Sequence, residues 1–430
     1  MAQTGLQPSR SPLEGIRVLD LTRVIAGPLA TQILGDLGAD VIKVERIDGG
    51  DDVRHVGPPW MRNRSEEEVS TYFQAVNRNK RSIAVSFETE EGQRLVKQLA
   101  EQSDIFIENF RPHTLGRYGL GYEDLKKINP RLVYCSVTGF GQDGCYAPRS
   151  GYDYLVQGMT GLMNVTGHPD GEPGGGPMRV GIPLVDIFAG MNAGLGILAA
   201  LRYRDACGVG QHVDISLFDS GIASMLNPVA AWFNSGVEIG HTSNDHPSAA
   251  PYGVFQVDDG YIIIATFSDR EFTRLAAALG HREWADDPRF AKNGDRVANR
   301  SELKDLVRSA LKGHTKMEMV SLLNEAMISC GPINSMADIE KDPHAIDRQS
   351  IVTLEHPQAG CIRTAASPLR LSNTPVTYRR APPLLGEHTG DVLRSCLNLS
   401  ETEIERLEEA GVISLDKPEE EPRKFANADP

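Results

Sequence analysis

Short apolar runs alternate with amphipathic stretches over the first 138 residues, and that alternation restricts the fold more than any single motif does. Ile16–Leu21 (IRVLDL), Val41–Glu45 (VIKVE), Ser82–Phe87, Asp104–Phe110 and Arg131–Thr138 read as strands. Between them, the segment that opens at Gly27-Pro28 and runs to Leu37, then Glu91–Gln102 and Tyr122–Ile128, read as helices. A repeated β-α-β order predicts an α/β fold, with a mostly parallel sheet covered by helices on both faces. Two further helices are expected at Asp153–Met163 and Asp186–Arg204, on either side of the glycine-rich loop Gly167–Pro177. A strand at His212–Leu217 and a helix at Asp219–Phe233 follow.

Near residue 236 the composition changes. A polar stretch leads into a hairpin, Gly253–Val257 and Tyr261–Thr266, turning on Asp258-Asp259-Gly260, and then helices at Asp269–Leu279, Arg300–Leu311 and Lys316–Met327. The expected organisation is a flexible N-terminus at 1–12, a large domain at 13–235, a small α+β domain at 236–335, a C-terminal part at 336–412 returning to the large domain, and a flexible tail at 413–430.

Acidic residues outnumber basic ones by 58 to 44, and the net charge of -14 argues against a general nucleic-acid or anionic-membrane binder. Any anionic ligand needs a local basic site. The six cysteines form no close pairs with each other or with histidine, which points to a reducing compartment and no metal site. The opening MAQTGLQPSRSP has no apolar core of a signal peptide, and no uninterrupted apolar run reaches membrane-spanning length. The expectation is a cytosolic protein, with the mitochondrial or peroxisomal matrix left open.

Asp186 ends the apolar run Val180–Val185 and begins a helical pattern rich in small residues, with Gly190, Ala193, Gly194 and Gly196 allowing another backbone to come close. Taken locally, it reads as a helix N-cap. Arg23, Arg46, Lys80, Arg81 and Arg117 fall at or beyond the ends of expected strands, where open α/β sheets bind ligands, and together suggest a site for a multiply anionic molecule. A nicotinamide site is disfavoured because the loop TRVIAGP lacks the G-x-G-x-x-G fingerprint.

Six stretches then carry a resemblance. They are LEGIRVLDLTRVIAGPLATQILGDLGADVIKVER at 13–46, NRNKRSI at 77–83, IENFRPHTLGRYGLGYEDL at 107–125, GYDYLVQGMTGLM at 151–163, VGIPLVDIFAGMNAGLGILAALRYR at 180–204 and PPLLGEHTGDVL at 382–393. In this order they resemble the class III coenzyme A transferases (the CaiB/BaiF family), over most of the chain. The resemblance implies a Rossmann-like large domain with a small α+β domain, in an interlocked ring-like homodimer. It implies coenzyme A thioesters as co-substrates, a carboxylic acid as acceptor, and neither a permanent cofactor nor a metal.

By the same resemblance Asp186 is the catalytic nucleophile, ionised at pH 7 and sharpened by partial desolvation, while Val24, Arg46, Lys80, Asn109, Phe110 and Arg117 contact coenzyme A. Arg23 departs from the formyl-CoA transferase pattern, where a histidine stands, and is taken as a candidate for the acyl group. Tyr152 stands where the racemase branch has a histidine; a tyrosine of pKa about 10 is a poor acceptor for a two-base epimerisation. Local wording is closest to the branch that exchanges succinate and hydroxymethylglutarate, which implies succinyl-CoA as donor and glutarate, hydroxymethylglutarate or itaconate as acceptor. Arg23, Arg179 and His246 are the cations available for a distal carboxylate. The alternatives are a racemase or a formyl- or carnitine-type transferase of the same fold, and a catalytically silent coenzyme A-binding dimer.

Overall fold

The computed structural model describes residues 11–62 and 68–415. Its central sheet contains β1 (Arg17–Asp20), β2 (Asp40–Glu45), β3 (Lys80–Val85), β4 (Ile105–Glu108), β5 (Val133–Thr138), β6 (His212–Ser216) and β7 (Ile413–Ser414). The spatial order is β6-β5-β4-β1-β2-β3-β7, parallel except for β7. The first six strands have the doubly wound order, in which the winding reverses between β1 and β4. At that reversal the loops after β1 and β4 leave in opposite directions and open a crevice.

Helices α1 (Ala26–Asp36), α2 (Glu90–Glu101), α3 (Tyr122–Ile128), α4 (Asp153–Met159), α5 (Leu184–Cys207) and α6 (Leu217–Ser224) belong to the same unit. Leu95, Val96 and Leu99 of α2 pack with Ile83, Val85 and Phe106 of the sheet in one core. The small residues of α5 do what their size allows. A Cβ at Gly190 would lie 2.5 Å from the carbonyl oxygen of Ala26, so α1 crosses α5 closely there. By length and composition α5 could cross a bilayer, yet Val185, Ala189, Ala193, Ile197 and Leu201 are buried inside the protein.

The chain divides into two compact units. Among the described residues, one holds those up to Thr160, Ile182–Ser224 and those from Gln349 on; the other holds Gly161–Gly181 and Met225–Arg348. The divisions therefore fall at Met225 and Arg348, compared with the expected 236 and 335, and the glycine-rich loop goes with the second unit. That unit has a three-stranded antiparallel sheet, Tyr252–Val257, Gly260–Ala265 and Ser329–Pro332, backed by Asp269–Ala278, Arg300–Leu311 and Lys316–Glu325. Phe255, Ile262, Phe272, Leu303 and Val307 form part of its core. Capping boxes at Ser268/Glu271 and Thr315/Glu318 start two of its helices.

Several expectations are corrected. The helix expected at Asp219–Phe233 is two, α6 and Leu226–Ser235, because Pro228 cannot continue a helix past the carbonyl of Ser224. The helix expected at Asp153–Met163 ends at Met159, just before Gly161 with φ of 89°. The tail expected from 413 starts too early: Ile413 is buried, and Ile413–Ser414 pairs with Val85 and Ala84 as β7. Residues 1–10 and 416–430, where flexible ends were expected, lie outside the described residues. The C-terminal segment does return to the large sheet. Asn79 N–H donates to the Arg380 carbonyl, His388 N–H to that of Ser82, and the Arg379 guanidinium to those of Gly35, Gly38 and Ala39.

Candidate active site

Asp186 is the third residue of α5, which begins after Pro183. The local N-cap reading is thus wrong: the helix start is capped from outside. Asp153, the first residue of α4, accepts hydrogen bonds through Oδ1 from the Val185 and Asp186 N–H groups at 2.8 and 3.2 Å, and its Oδ2 accepts from Gln157 Nε2 at 2.7 Å. Relieved of capping, the Asp186 carboxylate faces a cavity of about 370 Å³ and accepts no hydrogen bond among the described residues. Burial, and then the nearby charge of Asp153, raise its carboxyl to about 7.

The cavity opens where the winding reverses. Arg23, Val24, Ile25 and Ala26 after β1, Asn109, Phe110 and Arg111 after β4, and Arg149 and Tyr152 before α4 contribute to its wall. Ala26 and Gly27 begin α1; their N–H groups, like those of any helix start, lack intrahelical acceptors, no side chain caps them, and Pro28 after them has no N–H. A second cavity of about 500 Å³ lies beside Val44, Glu45, Arg46, Phe87 and Tyr118 and shares Arg23 and Phe110 with the first. The Arg23 guanidinium lies 4.8 Å from the centroid of the Phe110 ring and donates to Asp52 at 3.3 Å.

The expected coenzyme A contacts separate into two groups. Val24, Asn109 and Phe110 line the Asp186 cavity, and Arg46 and Phe110 line the second. Asn109 acts on its neighbour: its side chain accepts from Arg23 N–H at 2.9 Å and donates to the Arg23 carbonyl at 2.7 Å. Lys80 is a correction. Its ammonium is fully buried, 3.2 Å from Asp20, and donates to Asn77 Oδ1 and the Pro28 carbonyl, and it lines neither cavity. Arg81 is held by Asp40 at 2.6 Å. Arg117 is exposed in the turn Leu115–Tyr118 and lines neither cavity.

Of the residues assigned to the acid, Arg23 and Tyr152 stand on the wall of the Asp186 cavity, Tyr152 with 70% of its surface exposed. Arg179 and His246 belong to the second unit. Arg179 donates to the Val180 carbonyl, and His246 stacks on Tyr252 with its Nδ1 accepting from Ser248 N–H at 3.1 Å. Sequence reasoning missed Arg111 and Arg149. Both line the cavity and neither has an ion-pair partner among the described residues; Arg111 donates to Ser150, and Arg149 lies 4.6 Å from the centroid of Tyr146. Their signal was available in NFRPHT and PRSGYD, where each falls just beyond a strand or just before α4. No group of three or more potential metal ligands occurs among the described residues.

With this geometry in hand, the comparisons are specific. The profile of CoA-transferase family III matches residues 13–389. The chain is 41% identical to the succinate–glutarate CoA-transferase of Agrobacterium fabrum, over 93% of this chain and 99% of that protein. It is 39% identical to the succinyl-CoA:glutarate CoA-transferase of Mus musculus, over 94% of this chain and 91% of the relative. Among solved structures, a CaiB/BaiF family protein from Brucella suis superposes with a TM-score of 0.81 at 41% identity, covering 90% of this chain and 99% of that one.

Proposed function

The chain belongs to CoA-transferase family III and is an enzyme of that class, and from this premise we propose that it moves coenzyme A from succinyl-CoA to glutarate or a closely similar dicarboxylic acid, with Asp186 as nucleophile. The observation that carries the residue assignment is a half-buried Asp186 carboxylate, unbonded among the described residues, on a cavity that shares Arg23 and Phe110 with a second, larger one. One cavity is suited to the reacting end of an acyl-CoA and the other to its nucleotide end. Names of two relatives, both pairing succinate or succinyl-CoA with glutarate, support the choice of acids.

In this reading the ionised Asp186 attacks the thioester carbonyl. A C–O bond forms, the C–S bond breaks, and coenzyme A leaves as thiolate from a mixed anhydride. The thiolate then attacks the Asp186 carbonyl carbon, giving an aspartyl-CoA thioester and releasing the donor acid. The acceptor carboxylate runs these steps in reverse and regenerates Asp186. The protein's task is to desolvate the nucleophile and to hold each oxyanion, and Ala26, which opens the uncapped α1 and lines the cavity, offers a backbone N–H for this. Arg111 and Arg149, lacking carboxylate partners, are assigned to the anionic groups of the substrates, and Arg46 and Phe110 to coenzyme A.

An exposed apolar stripe on α5, with Met191 52% and Leu195 69% exposed, supports a homodimer in which a second copy covers it. The interlocked arrangement is part of the same proposal.

The test is a mass-spectrometric screen of the purified enzyme with succinyl-CoA and a panel of mono- and dicarboxylic acids. Glutaryl-CoA is the expected main product. A screen that yields only monocarboxylate esters overturns the dicarboxylate assignment, and one that yields no ester overturns transfer from succinyl-CoA.

A further inference from the structure

The wall between the two cavities rests on a backbone that is held against its own preference. Val24 has φ of 71°, in the left-handed region where a β-branched side chain crowds its own peptide groups. Around it, side chains fix nearly every polar atom of the main chain. The Thr22 carbonyl accepts from Lys43 Nζ at 2.7 Å, the Arg23 N–H and carbonyl are both bonded to Asn109, and the Val24 N–H donates to Asp51 Oδ1 at 3.1 Å. Asp51 Oδ2 in turn accepts from Lys43 Nζ at 2.9 Å.

Lys43 and Asp51 are both fully buried. A buried ion pair is a poor device for stability alone, because two well-packed apolar residues serve at least as well. An apolar pair, however, could neither accept the Val24 N–H nor donate to the Thr22 carbonyl. The same Asp51 carboxylate also caps the short helical turn Asp52–His55, accepting from Val53 N–H at 3.2 Å, and so sets the position of Asp52, to which Arg23 donates. The backbone that follows Arg23 and the turn that carries its ion-pair partner therefore both hang on one buried carboxylate.

We propose that Lys43 and Asp51 are positioning residues for the transfer reaction: the pair keeps Val24 left-handed and thereby fixes Arg23, against Phe110, on the wall shared by the two cavities. This rests on the reading of those cavities as the acyl-CoA site.

The test is a double-mutant cycle read as affinity for coenzyme A by titration calorimetry, which needs no turnover. In Asp51→Asn one side of residue 51 becomes an NH₂ group, which faces either the Val24 and Val53 N–H donors or the Lys43 ammonium. Binding is expected to weaken on the order of tenfold in the native background. In a Val24→Gly background, where the left-handed conformation carries no strain, the same change is expected to cost less than about threefold. Equal losses in the two backgrounds overturn the proposal and leave the pair as a stabiliser of the fold. Should Asp51→Asn not fold, Asp51→Glu keeps the counter-charge of Lys43 while moving the acceptor, and the cycle is read in the same way. An enzyme that binds coenzyme A but transfers it to no acid sinks the functional reading and leaves this cycle readable; failure of the unmodified protein to bind coenzyme A overturns both.

Discussion

Asp153 holds the backbone of the residue whose side chain it opposes. Its Oδ1 accepts the N–H groups of Val185 and Asp186 at 2.8 and 3.2 Å, while its charge disfavours ionisation of the Asp186 carboxyl. Removing the charge while keeping the acceptor separates these roles. In Asp153→Asn the amide oxygen still caps α5, and the Asp186 carboxyl is expected to move down from about 7. Because the ionised form attacks, the acid limb of kcat/KM is expected to shift to lower pH by roughly 0.5–1 unit. A pH-rate profile checks this, and an unmoved limb would mean that Asp186 does not set it.

The same raised carboxyl has a consequence for stability with a definite sign. A group whose folded pKa lies above its unfolded value stabilises the fold below the unfolded value and loses that contribution as the pH rises, here between about 4 and about 7. At pH 8 a half-buried carboxylate is therefore a burden that an amide is not. Asp186→Asn is expected to lose transfer by at least about a thousandfold and yet to unfold at a higher temperature at pH 8, on the order of 2 °C, with the gap closing toward pH 5. Thermal unfolding across pH reads the second effect independently of activity.

Lys80 and Arg149 provide a contrast between a cation that serves the fold and one placed to serve the ligand. Lys80→Met leaves Asp20 buried without one of its two lysine partners and is expected to cost about 3 kcal/mol in urea unfolding. Arg149→Ala removes an exposed cation with no carboxylate partner among the described residues, and is expected to raise the KM for acyl-CoA or acid on the order of tenfold with little change in stability. If Lys80→Met instead raised KM without destabilising the protein, the contact first expected from the sequence would be restored.

The contrast also marks how far the sequence was legible. Strands buried on both faces are written as apolar runs, so the β-α-β order was visible from Ile16 to Thr138, and the small residues of α5 announced the close crossing at Gly190. What a polar residue does inside such a run depends on partners far away in the chain. Lys80 finds Asp20 on a strand that is not its neighbour, Lys43 reaches back to the Thr22 carbonyl, and the cap of Asp186 comes from 33 residues earlier. Spacing carries no record of those meetings. Arg111 and Arg149 went unremarked for the converse reason: an arginine in a loop looks solvated until the fold shows it on the wall of a cavity.

The exposed stripe on α5 makes the proposed dimer accessible to a single substitution. Met191 and Leu195 are one helical turn apart, and both stand open on a helix whose opposite side is buried in the core. Covering a leucine side chain contributes about 1.5–3 kcal/mol, and placing a guanidinium in its stead adds the cost of desolvating a charge. Leu195→Arg is therefore expected to shift the protein from dimer toward monomer in sedimentation velocity at micromolar concentration, with the far-ultraviolet circular dichroism unchanged. An unmodified protein that sediments as a monomer would contradict the dimer itself. A dimer unaffected by Leu195→Arg would instead place the interface away from this face of α5, and Met191 and Leu195 would then need another reason to be exposed.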